Sequence, residues 1–319
     1  MNTTFPSKIL GDMRVTAVSD GYLQVDFGLL TKIDEDECRN IQANARIAQP
    51  NAVNINTFLV QQAGRNILID SGAGGVKGWG GQLINNLAKL GVKPENIDAV
   101  LLTHAHPDHI GGLINSQQVA VFPRAELIIP QDEFSYLEDD RNLAATSERV
   151  KDNVMFARSV FKQYQHRLRL IDEGEVFAGI SALALKGHTP GHTGYILSGS
   201  IERVLVWGDI VHFPHIQLLD PEVTIAFDFD PLLARETRIR ILEKVSAEQT
   251  LVAGMHFDTA GFARIKKCSS GYQIIPADGI NSQSHAAVDP EIRMPPCGSI
   301  AANRDGLPQG GRAAQFRNH

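Results

Sequence analysis

The chain predicts an α/β fold of four layers: two β-sheets packed face to face with helices outside them, an αββα sandwich. Three observations carry this reading. Strand-like and helix-like segments recur twice, with antiparallel hairpin signals in each half. The apolar run from Ala99 to Leu102 reads as a buried strand and leads directly into Thr103-His-Ala-His-Pro-Asp-His-Ile-Gly-Gly-Leu113. Chemistry-bearing side chains on the loop at the C-terminal end of a strand stand where open α/β sheets bind their ligands.

Taken in order, residues 13–18 and 22–27 are rich in β-formers and are separated by Asp20-Gly21, a hairpin signal. Residues 28–52 are charged and weakly periodic, which fits a long loop or a short helix. Residues 54–61 and 66–70 form a second strand pair across Ala63-Gly64, ending in the turn Asp70-Ser71-Gly72. Residues 82–90 place Leu83, Ile84, Leu87 and Leu90 on one helical face, with Gly91 as the stop. After the strand at Ala99, Gly111-Gly112 suits a tight backbone path into a helix starting near His109. Residues 126–129 are a short strand, and residues 131–166 are helical in two pieces, the second carrying Val150, Val154, Ala157 and Phe161 at helical spacing. Phe134, Tyr136, Phe156 and Phe161 are candidates for pocket walls, although the core is the commoner place for such residues.

Residues 167–171, 180–186, 195–198 and 203–206 read as strands joined by short loops. A helix over 231–246, a strand over 250–253 and a hairpin over 262–275 follow. Residues 1–277 are thus expected to form one domain of two similar halves. From Asp278 to His319 the composition shifts to Gly, Pro, Ser, Asn, Gln and Arg without periodicity, and this stretch is expected to be a disordered tail.

Composition narrows the function. With 319 residues, 43% of them hydrophobic, a sizeable core is available. The net charge of −6 and the lack of any Lys/Arg block argue against nucleic acid as a partner, since backbone binding needs clustered cations. No apolar run reaches the roughly 18 residues of a membrane span, so no membrane association is expected. The N-terminus lacks a charged segment followed by an apolar one, so no signal peptide is read and a cytoplasmic location is expected, with a periplasmic one if a signal has been removed. Cys38, Cys268 and Cys297 are far apart and form no metal or redox motif, which fits reduced thiols.

The loop after the Ala99 strand holds His104, His106, Asp108 and His109 within six positions. Imidazole and carboxylate groups suit Zn²⁺, Mn²⁺, Fe²⁺ or Co²⁺. A lone histidine at a strand end is usually an ordinary core or surface residue; four ligand types in this order are not.

The run His-Ala-His-Pro-Asp-His resembles the H-x-H-x-D-H metal signature of the metallo-β-lactamase superfamily. The later motifs of that family also have matches, in order: Gly187-His188-Thr189-Pro190-Gly191-His192, Gly208-Asp209 and Gly254-Met255-His256. The resemblance covers roughly residues 10–276. It implies two divalent metal ions, zinc before others, with His104, His106 and His188 on one, Asp108, His109 and His256 on the other, and Asp209 bridging them. Neighbouring side chains diverge on a turn, so the one loop from His104 to His109 can serve two ions about 3.5–4 Å apart. A hydroxide shared between the ions would be the nucleophile. Asp108 is read chiefly as a ligand, with proton transfer to the leaving group as a second role. The resemblance makes Asp70 a candidate support for the ligands by hydrogen bonding and gives His192 a structural role; His212 and His215, close in sequence to Asp209, are read chiefly as bonding locally, with substrate contact as the alternative. In this family an extension such as residues 28–52 can cover the active site or pack on a second subunit, which allows a homodimer.

Within the superfamily, no basic cluster for glutathione follows the last ligands, no extra RNA-processing domain is present, and no Glu replaces the second His of the signature. The opening Leu10-Gly-Asp-Met-Arg-Val-Thr-Ala-Val-Ser-Asp-Gly21 and the segments at Gly208–His212, Asp220–Thr224 and Gly271-Tyr272 resemble the branch of methyl parathion hydrolase and related bacterial lactonases. This resemblance implies hydrolysis of lactones, aryl esters or phosphotriesters that are small and neutral or weakly polar. The alternatives are a thioesterase or β-lactam hydrolase of the same fold and, further off, an iron-dependent oxidoreductase.

Overall fold

The computed structural model describes residues 5–143, 146–200, 202–257 and 261–277; the tail expected over 278–319 lies outside them. Among the described residues, one seven-stranded sheet holds, in spatial order, β1 (Ser7–Leu10), β2 (Met13–Gln24), β3 (Ala52–Gln62), β4 (Arg65–Ile69), β5 (Ala99–Leu101), β6 (Glu126–Pro130) and β7 (Leu168–Ile171). Neighbours are antiparallel from β1 to β4 and parallel from β4 to β7. The second seven-stranded sheet runs in order through β8 (Gly174–Phe177), β9 (Ile180–Ala184), β10 (Thr193–Ser198), β11 (Arg203–Val206), β12 (Leu251–Ala253), β13 (Phe262–Lys267) and β14 (Tyr272–Pro276), with β11 and β12 its parallel pair.

The helices are α1 (Glu35–Asn44), α2 (Leu83–Lys89), α3 (Pro107–Ile110), α4 (Gln131–Glu138), α5 (Glu148–Tyr164), α6 (Pro214–Gln217) and α7 (Pro231–Ala247). A parallel pair needs a crossover, and α2, α4 with α5, and α7 supply three of them. The two-residue period of the strands then sorts the core. Along β3 to β6, Leu59, Leu68, Val100, Leu127 and Ile129 face α2 and α5, while Phe58, Ile67, Ile69, Leu101 and Ile128 face the second sheet. Tyr195, Leu197, Val204, Val206 and Ala253 meet them from the other side. Leu205 and Val252 turn outward onto Ile241, Leu242 and Val245 of α7. Strands buried on both faces read as unbroken apolar runs, which is why Ala99–Leu102 was legible.

Three local expectations are corrected. Asp20-Gly21 is no hairpin turn: β2 runs through it with a register shift between Ser19 and Gly21, a bulge that Gly21 accommodates at φ 118°. The signal was real but the strand continues, because Asp20 turns inward and is fully buried. Gly111-Gly112 does not lead into an α-helix but follows α3, and it serves close approach: a Cβ on Gly112 would stand 2.0 Å from the Ser71 carbonyl oxygen, and on Gly111 2.1 Å from that of Ala73. Of the cysteines expected as reduced thiols, Cys38 is a buried free thiol, Cys268 is disulfide-bonded, and Cys297 lies outside the described residues. Sequence spacing carries no information on that bond, since a disulfide depends on proximity in space. Strands β1 and β8 were not read from the sequence: both lie at a sheet edge and are mostly half-buried or exposed, so neither carries an apolar run or alternation.

No described helix is long and apolar enough to cross a membrane.

Candidate metal centre

Four loops at one edge of the sandwich carry the candidate ligands. They follow β5 (His104, His106, Asp108, His109), β9 (His188), β11 (Asp209) and β12 (His256). His106 stands at the N-cap position of α3, Pro107 opens the helix with its fixed φ, and the tight first turn brings Asp108 and His109 to the same side of the cage, Asp108 Oδ2 3.5 Å from His109 Nε2. The structure brings all seven candidates together in two groups that share Asp209: His104, His106, His188 and Asp209, and Asp108, His109, His256 and Asp209.

The geometry within each group is that of a cage. His106 Nδ1 lies 3.1 Å from His104 Nε2 and 3.0 Å from His188 Nε2. Asp209 Oδ2 lies 3.2 Å from His188 Nε2 and 3.6 Å from His104 Nε2. Asp209 Oδ1 faces the other group, 3.1 Å from both His109 Nε2 and His256 Nε2. Ligand atoms around a tetrahedral zinc stand roughly 3.3 Å apart, given Zn–N bonds of about 2.0–2.1 Å, so these separations suit a shared ion.

Hydrogen bonds behind the cage fix which ring nitrogen faces in. His109 Nδ1 donates to Asp70 at 2.7 Å, His188 Nδ1 to Asp228 at 2.8 Å, and His256 Nδ1 to the Asn54 carbonyl at 2.7 Å. Thr103 donates its hydroxyl to Asp70 at 2.7 Å, which leaves that oxygen to accept from His104 Nδ1 at 3.1 Å. With the outer nitrogens protonated, the inner ones present lone pairs to carboxylate oxygens, an arrangement that repels unless a cation lies between them. His109 Nε2, His256 Nε2 and Asp209 Oδ1 are buried and find no hydrogen-bond partner among the described residues. Orphaned polar atoms of this kind are costly, and the donor set present here fits divalent metal ions.

Protons and cations compete for the same cage. Burial opposes charge on His109, His188 and His256, yet Asp209 beside each of them raises all three, His188 to about 9. Burial and neighbouring imidazoles lower His104, and hold His106 down at about 3. Burial would raise Asp209 and Asp108, but His109 beside both brings them below the ordinary carboxylate range. Metal uptake by such a cage displaces protons and weakens as pH falls.

His192 is a structural residue of the centre. Its Nδ1 donates to the Leu185 carbonyl at 2.8 Å and its Nε2 accepts from the backbone N–H of Asp209 at 2.9 Å, so it fixes where Asp209 begins. Burial lowers it to about 3, which keeps this neutral tautomer. His212 bonds locally, as read: its Nε2 lies 3.2 Å from Asp209 Oδ2 three residues before it, and its ring stacks on His256. His215 lies on α6, outside both ligand groups. Asp70 is the hub for Thr103 and His109.

Three buried carboxylates escaped sequence reasoning. Glu133 accepts backbone N–H bonds from Ala105 and Gly191 and so ties two ligand loops together. A charge on the apolar face of α4, four residues before Leu137, was the available signal. Asp228 gave no signal; it orients His188 and lies 3.9 Å from the buried Arg238 guanidinium. Asp20 supports the loop that walls the site, accepting from Ala73, Gly74 and Leu83. We expect Asp228→Ala to lower metal affinity by about 10–100-fold in competition with a chromogenic chelator, and Asp228→Asn, which keeps an acceptor for His188, to lower it less.

Two cavities open onto the cage. One, of about 290 Å³, is walled by Leu23, Val25, Leu29, Trp79 and Phe227 and reaches Asp108, Asp209 and His256. The other, of about 320 Å³, lies beside His188 and Tyr136. The stretch before and within residues 28–52 therefore walls the site through Leu23, Val25 and Leu29, packing on Phe213, Ile216 and Ile225. Of the aromatic candidates Tyr136 lines a cavity, whereas Phe161, with Phe134 and Phe156 against it, belongs to the core.

Residues 50–256 match the family model described as Metallo-beta-lactamase superfamily. The uncharacterized protein YobT of Bacillus subtilis (strain 168) is 30% identical over 144 residues, 44% of this chain and 56% of that protein, so the match spans about half of this curated relative. Among solved structures, hydrolase AbOPH of the beta lactamase superfamily superposes with a TM-score of 0.81 at 30% identity, covering 87% of this chain and 98% of that one. AidC, a dizinc quorum-quenching lactonase, superposes with a TM-score of 0.80 at 25% identity over the same shares.

Proposed function

Because the chain belongs to the metallo-beta-lactamase superfamily, we propose that it is a metal-dependent hydrolase of lactones, aryl esters or phosphotriesters. His104, His106 and His188 would hold one divalent ion, Asp108, His109 and His256 a second, and Asp209 would serve both. One observation carries this reading: the two carboxylate oxygens of Asp209 face different triads, and Oδ1 is buried with no other partner among the described residues. When bound, zinc ions in such a pair supply an activated water at neutral pH and polarise the carbonyl or phosphoryl oxygen.

The chain's own contribution is rigidity and dryness. The outer hydrogen bonds of His104, His109, His188 and His256 lock the rings before substrate arrives, so little reorganisation is needed as charge develops. The apolar wall of Leu23, Val25, Trp79 and Phe227 lines the face where the half-buried Asp108 meets the cavity, and strengthens the electrostatics there. Asp108 would serve as a ligand to the second ion. His212 lines the same cavity beside Asp209, in reach of a substrate oxygen.

The reading is tested by metal analysis of purified protein together with a panel of lactones, aryl esters, phosphotriesters, thioesters and β-lactams. We expect two zinc ions per chain, with turnover of the first three classes abolished by chelation and restored by zinc. One iron per chain with oxygen consumption would overturn hydrolysis, and preferential turnover of thioesters or β-lactams would overturn the substrate class.

A further inference from the structure

His106, Arg149, Asn153 and Phe227 line both cavities, and Lys77 lines the first, so the two spaces meet over the cage. The charged groups on these walls fall into two kinds. Every carboxylate is committed to the cage or its support. Asp108 and Asp209 face the imidazoles, Glu133 holds the backbone of Ala105 and Gly191, and Asp228 holds His188. The two long cations are not committed in this way. Among the described residues neither forms an ion pair with a carboxylate: Lys77 Nζ donates to the Asn153 side-chain oxygen at 3.4 Å, and Arg149 Nη2 to the Ala226 carbonyl at 2.8 Å.

Unpaired surface cations are common and by themselves mean little. These two come from separate elements, the loop after β4 and the first turn of α5, and converge on one space, where Lys77 bonds to Asn153, one turn after Arg149 on α5. Both are exposed, which places them at the mouth. Each also stands over an aromatic ring of the cavity wall, Lys77 at 5.2 Å from the Trp79 centroid and Arg149 at 5.1 Å from that of Phe227. That contact holds a flexible side chain over the cavity while leaving the charge available. In a chain of net charge −6, this is a local reversal of sign at the entrance. The neutral substrates implied by the resemblance would give these cations no role.

We propose that the site selects esters or lactones whose acyl arm carries a carboxylate or similar anionic group, held at the mouth by Lys77 and Arg149. The proposal rests on the hydrolase reading for the bond that is cleaved, and concerns the other end of the substrate.

The test uses the full-length, zinc-loaded protein and two para-nitrophenyl esters of equal acyl length, the hexanoate and the monoester of adipate. An exposed charge pair contributes a factor of about two to five, so two together give the anionic ester roughly a tenfold advantage in kcat/KM at low salt. The advantage should shrink at high ionic strength, where the screening length falls to about 3 Å in ~1 M salt. The Lys77→Met/Arg149→Met double variant should lose it, through KM for the anionic ester. Calorimetric binding of adipate against hexanoate should show the same order. Equal kcat/KM for the two esters, with no salt dependence and an unchanged ratio in the double variant, would overturn the anion preference and leave the hydrolase reading intact. Preferential binding of adipate without hydrolysis of either ester would do the opposite. Neither hydrolysis nor binding preference would overturn both.

Discussion

Asp209→Ala is expected to lower kcat/KM by about three orders of magnitude or more on any substrate the protein hydrolyses. The size follows from position. Removing one preorganised group at a reacting centre typically costs 10²–10³ in rate, or roughly 3–4 kcal/mol; Asp209 touches both halves of the cage at once. Its Oδ1 lies 3.1 Å from His109 and His256, its Oδ2 3.2 Å from His188. Without it, one of the two clusters keeps only His104, His106 and His188, and the other only Asp108, His109 and His256. Metal stoichiometry should therefore fall along with activity, while far-ultraviolet circular dichroism stays that of a folded sandwich. The fold should survive because Trp207 and Val206, just before the loop, pack in cores that do not include the carboxylate. His106→Ala is expected to behave similarly. Full turnover in a metal-stripped Asp209→Ala/His106→Ala protein would contradict the mechanism outright.

The largest effect on stability is expected far from any bond-breaking, at Asp20. This side chain is fully buried and accepts the backbone N–H groups of Ala73 at 2.9 Å, Gly74 at 3.1 Å and Leu83 at 2.8 Å. Burial pushes its carboxyl up, and those N–H donors pull against the shift. Asp20→Ala leaves three donors without an acceptor. Each buried unsatisfied donor costs about 1–3 kcal/mol, and solvent can relieve the exposed Gly74, so we expect a loss of about 3–5 kcal/mol. That is a large share of the roughly 5–15 kcal/mol that holds a domain together, and should lower Tm by roughly 10 °C.

The loop it anchors carries Lys77 and Trp79, so KM should rise in the surviving folded protein. Asp20→Glu should not rescue it, because Gly72 and Gly80 crowd the carboxylate: a Cβ added there would lie 2.5 Å and 2.1 Å from it. Denaturant unfolding of the zinc-loaded variants decides the matter; a loss below about 1 kcal/mol would show that the loop is held by other contacts.

What the sequence made legible, and what it did not, divides along a physical line. The candidate ligands were readable because they are few residue types in a fixed local order, on loops whose flanking strands announce themselves as apolar runs. His104, His106, Asp108 and His109 needed only one loop to be recognised. His188, Asp209 and His256 came from motifs matched one by one to a family. The helix over residues 82–90 and the terminal hairpin were legible from period and stop signals, and appear as Leu83–Lys89 and as Phe262–Lys267 with Tyr272–Pro276.

Asp20, Glu133 and Asp228 were not legible, since a charged residue in a sequence looks solvated until the fold buries it. Their partners are Leu83, Gly191 and His188, which lie 63, 58 and 40 residues away. Local patterning along the chain thus marked out the architecture, and motifs matched to a family marked out the candidate ligands. Only tertiary structure decided which nitrogens face inward, which carboxylates support them, and that Lys77 and Arg149 come to stand over the same space. Hydrophobic periodicity is a property of neighbours along the chain, whereas hydrogen bonds and charge pairs at a site form between groups that share nothing before folding except their eventual distance.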